Sequence, residues 1–447
     1  VTDVRPFRAL RYDPARVDLD RVIAPPYDVV TPEERAFYWA RDPHGAIRLE
    51  LTRDVGAEAA TDYRDVADSL SAWQREGVLR RDPLPALYGL RQRFEGPDGA
   101  VHVREGFFAA LRLESYDRRV VRPHERTLAG PKADRLKLLR ATRANLSPIF
   151  LLYEDPGREL TGLLAERLDA GPAAMARDPS GVEHRLVPIA DPAPIARVCR
   201  FLAERPVVIA DGHHRYETAL SYRDEQRAGA GDEQRAGAGD EQRAGAAGEG
   251  RAAPGEAPFE RVLAYFADAY APGSLLLPIH RVVREVPAPD DAGWRARLPG
   301  WEERRVRCPD AQGIPALLAE HLGPLADRQA FAADDGSGVL RIFSRPRRDA
   351  GEIGTRVLHA EVLGSVFGLD EVAVRDGAVA FPKKALEAAR EVREGRGTVA
   401  LYLNPLHPED VFRVTAAGEV LPQKSTFFHP KLPTGLCFRL LDVEDGR

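Results

Sequence analysis

"PVVIADGHHRYETAL", residues 206–220, is the stretch on which the fold of this chain turns. An apolar run from Pro206 to Ala210 stops at Asp211, Gly212, His213, His214 and Arg215, after which Tyr216, Ala219 and Leu220 recur at helical spacing. The first part reads as a buried strand and the last as an amphipathic helix. A strand that enters a helix through a glycine turn leaves the first helical N–H groups unpaired and facing the incoming loop, which makes an anion site. Gly212 permits a tight or positive-φ turn and close approach of a ligand. Arg215 adds a planar cation that grips phosphate oxygens in pairs. A plainer reading uses the same residues: Asp211 as a helix cap contributing about 1 kcal/mol, and the histidines satisfied by nearby carbonyls. Five such residues in succession favour the anion or substrate site.

On either side of this stretch, strands and helices alternate. Residues 46–51 (AIRLEL), 86–94, 107–116, 149–155 and 184–190 read as strands. Residues 60–77, 134–148 and 192–204 read as helices, the second closed before Pro148. Downstream, 261–269, 275–283 and 398–406 read as strands, and 314–323 and 382–395 as helices. The expected fold class is α/β, or mixed α+β, and the order of strands in the sheet is not readable. Between these halves lie DEQRAGAG at 224–231, its repeat at 232–239 and DEQRAGA at 240–246. A period of eight without an apolar stripe is an expanded insertion, a helix extension running into a flexible loop, and not a solenoid.

Composition narrows the function classes. At 447 residues the chain exceeds one ordinary core. A net charge of −5 supplies no electrostatic reason to bind a phosphate backbone or an anionic membrane, so neither nucleic acid nor membrane is expected as a partner. Cys199, Cys308 and Cys437 are too far apart for a disulfide framework or a CxxC metal site, and a reducing cytoplasm is the expected location. The chain has six lysines against 58 arginines, so a lysine that persists is a compact point charge worth noting; Lys132 and Lys137 share one motif, Lys424 and Lys431 another.

Four further stretches carry polar residues in dense arrangement. Residues 120–139 hold His124, Glu125, Arg126, Thr127, Lys132, Asp134, Arg135 and Lys137. A solvated helix face accounts for Lys137 and Arg140, and accounts less well for His124 and Glu125, which follow Pro123 at the end of a strand-like segment. In residues 423–435, Lys424, Ser425 and Thr426 read as an anion or carboxylate clamp backed by Phe427 and Phe428. The alternative, a strand tucking its aromatics into the core, is equally open. In IAPPYDVV, Pro25 and Pro26 stiffen the chain and position Tyr27 and Asp28. His280 and Arg281 are weaker candidates. A metal site at the adjacent His213 and His214 is not favoured, because neighbours point apart and no HExxH-like spacing exists; a metal ligand set remains unassigned.

The order of HE, helix, NLSPIF strand and DGHHR turn over about residues 115–222 resembles the ParB/sulfiredoxin superfamily, and most closely its free-serine kinases. The stretches IAPPYDV, AIRLEL, RPHERT, ADGHHRYETAL, LLLPIHR and PQKSTFFHPKLPTGL resemble, over nearly the whole length, the prokaryotic family called domain of unknown function 1015. The resemblance implies a ParB/sulfiredoxin-like domain at 111–223, between α/β regions at 1–110 and 259–447, with the low-complexity insertion at 224–258. It implies that Gly212, His213, His214 and Arg215 hold the phosphates of a nucleotide, ATP or ADP; Lys132 and Arg135 of the dense 120–139 stretch are further candidates for those phosphates, and Mg2+ is expected from the charge neutralisation that phosphoryl transfer needs. The resemblance makes Asp211 and Glu125 the acidic residues near the reacting hydroxyl; the residue patterns themselves add His124 as a catalytic candidate and Lys424, Ser425, Thr426, Tyr27 and Asp28 as candidates to face substrate. The implied activity is phosphorylation of a hydroxyl on a small metabolite, free L-serine being the most specific candidate; the alternative is a nucleotide-binding regulatory protein that transfers no phosphate. Histidines where sulfiredoxin places its cysteine, and an insertion where partitioning proteins carry a helix-turn-helix, set both of those activities aside.

Overall fold

A computed structural model describes residues 1–127, 129–171, 173–241, 256–349 and 351–442, with backbone alone at 129–131 and 230–241. The fold is mixed α/β. It divides into two compact units: Val1–Pro123 with Thr127–Ser274 and Pro430–Arg447, and Leu275–His429 with His124–Arg126.

The first unit is built on a nine-stranded mixed sheet. Its order runs Val121–Arg122, Val207–Asp211, Ile149–Tyr153, Arg261–Asp268, Val101–Arg112, Leu87–Glu95, Glu183–Ile189 and Ala174–Arg177, with Val4–Arg5 paired on Val101–Arg112. Val207–Asp211 lies parallel to Val121–Arg122 and antiparallel to Ile149–Tyr153. Every residue of Ile149–Tyr153 and of Arg261–Asp268 is buried, as continuous apolar runs require when both faces of a sheet are covered. One face packs Phe107, Leu151, Tyr153, Ile209 and Phe266 under the helices Glu159–Ala170 and Pro192–Ala203. A separate cluster holds Trp73, Leu138, Leu146 and Phe438.

The second unit carries a six-stranded sheet in the order Glu302–Arg307, Val339–Arg345, Gln329–Asp334, Val399–Leu403, Arg281–Val283 and Val379–Ala380. Ala388, Ala389 and Val392 of the helix Ala385–Arg393 pack on one cluster with Ile314 and Tyr402, and Trp294, Val362 and Phe367 form another.

Three expected elements come out differently. Residues 46–51 do not form a strand: Ile47–Glu50 is a single helical turn. A six-residue apolar/polar alternation fits period 2 and period 3.6 almost equally, and here Glu50 is drawn inward by Arg135 and Ser147. The run at 275–283 splits into Leu275–Leu277 and Arg281–Val283, which pair with Phe427–His429 and Val399–Leu403 respectively. Pro278, lacking an N–H, sits in the gap between them. The helix expected at 134–148 runs Ala129–Thr142 and yields to the short strand Ala144–Asn145. In the low-complexity stretch, residues up to Glu241 continue the helix begun at His213, consistent with repeats rich in Ala, Glu, Gln and Arg; residues 242–255 of the expected insertion lie outside the described residues.

Candidate functional site

The site grows from the end of the Val207–Asp211 strand. Its pairing with Ile149–Tyr153 shifts register between Ile209 and Asp211, an irregularity of the kind that re-aims a side chain at a sheet edge. Gly212 comes next at φ +93°, the left-handed region, and the helix starts at His213 with Tyr216 N donating to the Gly212 carbonyl at 2.9 Å. A Cβ at Gly212 would stand 3.1 Å from Cζ and Nε of Arg215, so glycine serves the turn and also lets the arginine fold back over it. Gly212→Ala is therefore expected to destabilise the first unit by about 1–3 kcal/mol, read as a lower urea midpoint; an unchanged midpoint would refute the strained-turn reading.

The Asp211 carboxylate lies between two cations. Lys431 Nζ donates to Oδ1 at 2.5 Å and Arg215 Nη2 to Oδ2 at 2.6 Å, while Arg215 Nη1 donates to the Pro148 carbonyl. Burial by itself would raise the Asp211 carboxyl; Lys431 and Arg215 reverse that and hold it well below the usual carboxylate range. Burial alone would lower Arg215, and Asp211 outweighs it, keeping the guanidinium firmly charged.

Lys431 is delivered by a built support. Arg104, fully buried, donates to Gln92 Oε1 at 3.0 and 2.5 Å and to the Pro430 carbonyl at 2.6 Å, and it lies 4.7 Å above the ring of Phe150. These contacts fix the 430–431 backbone against the sheet, so the ammonium reaches Asp211 as a placed charge. Sequence reasoning assigns Lys431 no role; its rarity among the basic residues is the one available signal.

Tyr27, Asp28 and Arg135 belong to the same neighbourhood. Tyr27–Val29 is a short 3-10 turn, and the Tyr27 ring lies 4.4 Å under the Arg135 guanidinium. Burial first, then Asp28, pushes the Tyr27 phenol well up. Arg135 donates to the Glu50 carbonyl at 2.7 Å, to Glu50 Oε2 at 3.3 Å, to Tyr63 OH at 3.0 Å and to Asp134 Oδ2 at 2.5 and 3.0 Å. Glu50 in turn accepts from Ser147, whose hydroxyl lies 2.5 Å from that of Thr434. Sequence reasoning misses Glu50, Ser147 and Thr434, the first because a strand would place it differently.

A cavity of about 50 Å3, lined by Glu50, Arg135, Asn145, Ser147, Arg215 and Thr218, opens beside this network. That is space for a few waters. Arg215 Nε and Thr218 Oγ1 are buried with no hydrogen-bond partner among the described residues. One turn along the helix, Glu217 accepts from Lys132 Nζ and Thr127 Oγ1, each at 2.7 Å.

Of the residues singled out from sequence, Asp211, Gly212, His213, His214, Arg215, Lys132, Arg135, Tyr27 and Asp28 belong to the first unit. His124, Glu125, Lys424, Ser425 and Thr426 belong to the second. There His124 Nε2 lies 2.7 Å from Thr426 Oγ1, the Ser425 hydroxyl donates to the Pro422 carbonyl at 2.6 Å, and Lys424 is exposed at φ +57°. Phe428 is buried, as the strand alternative expects. Among the described residues no group of three or more His, Cys, Asp or Glu is placed to hold a metal ion, and no helix is long and apolar enough to cross a membrane.

No curated protein matches the sequence. Solved structures similar to this chain include a free serine kinase mutant in complex with ADP, 13% identical, covering 74% of this chain and 92% of its own at a TM-score of 0.35. A conserved hypothetical protein from Pyrococcus furiosus is 14% identical, with 76% and 97% covered and a TM-score of 0.34. A C-terminally truncated SbnI from Staphylococcus aureus is 12% identical, with 73% and 85% covered and a TM-score of 0.34. Likenesses as distant as these carry no argument about function. The sequence profile of the protein family of unknown function DUF1015 matches residues 4–299, more than half of the chain, and the protein belongs to that family.

Proposed function

We propose that the protein is a nucleotide-dependent phosphotransferase that phosphorylates the hydroxyl of a small metabolite, with free L-serine the first acceptor to test. The observation that carries this reading is the Asp211 clamp: a carboxylate held ionised by Lys431 and Arg215 at the end of a strand, one residue before a left-handed glycine and a helix N-terminus. Phosphoryl transfer is mostly positioning and charge neutralisation, and this turn offers both kinds of group at one place. The helix N–H groups after Gly212 are suited to phosphate oxygens, with Arg215 Nε unspent beside them. Lys431 and Arg215 orient the Asp211 carboxylate, which would position the acceptor hydroxyl. Magnesium enters this proposal with the nucleotide, because Mg2+ is commonly held by one or two carboxylates together with substrate phosphates. The role of Glu125 as base rests on the resemblance to free-serine kinases, those of His124, Lys424, Ser425 and Thr426 near substrate on the sequence pattern alone, and variants at each test them singly.

The experiment is a phosphoryl-transfer screen with magnesium and ATP or ADP, offering small hydroxyl compounds including L-serine and reading product by phosphorus NMR. A phosphomonoester lost in Arg215→Ala and Glu125→Gln is the expected result. Nucleotide binding with no product from any acceptor would replace it with the regulatory reading, and no binding at all would refute the phosphate turn.

A further inference from the structure

In the second unit, Arg281 begins the strand Arg281–Val283 and is fully buried. Its polar contacts are few. Nη1 donates to the Ile279 carbonyl, Nη2 lies 3.4 Å from His359 Nε2, and the Phe381 ring centroid is 5.3 Å away. Nε is buried with no hydrogen-bond partner among the described residues, and none of their carboxylates pairs with the guanidinium.

The contrast with other buried arginines of the chain is direct. Arg135 meets Glu50 and Asp134, Arg261 meets Asp3 and Glu256, and Arg345 meets Glu352 and Glu361. Arg104, as deeply buried and likewise without an ion pair among the described residues, still gives three hydrogen bonds to Gln92 and Pro430. A guanidinium taken out of water loses more than one carbonyl and one ring return, and an arginine does not escape by deprotonating at neutral pH. Burial lowers Arg281 only to about 9, so it remains a cation, whereas burial and then Arg281 itself lower His280 to about 3 and His359 to about 4, leaving both neutral.

The elements around it are unusual in the same place. Phe381 follows the edge strand Val379–Ala380, which is preceded by a turn kinked at Gly377 with φ +103°, and His359 lies in Leu358–Gly364, a π-helical segment. Segments of this last kind recur at functional sites because the extra residue per turn re-aims side chains. His359 and Phe381 are only half-buried, so the cover over Arg281 consists of two rings with access to solvent.

We propose that Arg281 is the cationic floor of an oxyanion site in the second unit, taking a carboxylate or phosphate group of a small ligand, with His359 and Phe381 as its movable cover. In this arrangement the anion accepts from Nε and Nη2, and the His359 ring turns aside.

The test is thermal unfolding of the full chain at constant ionic strength, with inorganic phosphate in one arm and acetate in the other. The melting temperature of the wild type and of Arg215→Ala is expected to rise with one of these anions, which names the ligand group, and Arg281→Met to lose the part of that rise that Arg215→Ala keeps. In the absence of anion, Arg281→Met should be at least as stable as the wild type, since an uncompensated buried charge has been replaced by an apolar side chain. A large loss of stability in Arg281→Met, equal responses in wild type and Arg281→Met, or no response to either anion would overturn the proposal. Independently of that variant's folding, the His359 ring resonance, assigned with His359→Gln, should shift on titration with the responding anion; an unmoved resonance would also overturn it.

Discussion

Asp211→Asn is expected to reduce phosphoryl transfer by about 10²–10⁴-fold, and to lower the stability of the first unit by about 3 kcal/mol. The substitution keeps shape and removes charge, leaving Lys431 and Arg215 facing each other across a neutral amide. The side chains of Arg215, Asp211 and Lys431 are 11%, 16% and 17% exposed, which puts the cost at the low end for breaking a buried ion pair. Lys431→Met in the same background should recover part of the loss, because the two cations no longer repel, and a double-mutant cycle by urea unfolding measures that coupling. The acid limb is set by the sign of the shift. The folded carboxyl is depressed, so its stabilisation is complete above the unfolded aspartate value of about 3.9 and is lost as pH falls below it. The stability difference between wild type and Asp211→Asn should therefore shrink progressively below about pH 4. A difference that stays constant through that range would show that the clamp is not ionised as described.

Arg135→Met is expected to destabilise the protein by about 3–5 kcal/mol, for a different reason. Arg135 is 5% exposed and is the cation paired with the Glu50 carboxylate, a residue itself 3% exposed. Removing the guanidinium strands that carboxylate with the Ser147 hydroxyl and takes the stacking partner from Tyr27. Lysine at this position should restore only part of the stability, since a point charge cannot reach Glu50, Tyr63 and Asp134 together. Glu50→Gln combined with Arg135→Met should be milder than Arg135→Met alone, because the charge left behind is then gone. The urea midpoints of these variants check the ordering. If Arg135→Met keeps full stability and loses nucleotide binding, Arg135 is a ligand contact and not the structural counter-ion of Glu50.

Much of this architecture is legible in the chain alone. The strand, the glycine turn and the helix of residues 206–220 are local features, signalled by an apolar run, a residue free to take positive φ and a 3–4 spacing. The same holds for Leu87–Glu95, Arg64–Arg75 and Pro192–Ala203, which occur close to where periodicity puts them. Residues 46–51 read wrongly as a strand because six residues are too few to separate two periods, and the burial of Glu50 that settles the matter depends on Arg135, 85 residues away. Residues 275–283 read wrongly as one strand because the apolar run conceals a proline whose effect depends on which neighbours each half finds.

The α/β class, the turn at Gly212 and a polar constellation around Asp211 arise from preferences acting over a few residues and are written locally in the chain. Which charges complete that constellation is set by long-range packing. Lys431 reaches Asp211 across 220 positions, carried there by Arg104 and Gln92 holding Pro430 and Lys431 against the sheet. Such a pairing leaves no periodic trace in the chain, because it is set by strand order and by the need to satisfy buried charge, and both exist only once the strands have assembled.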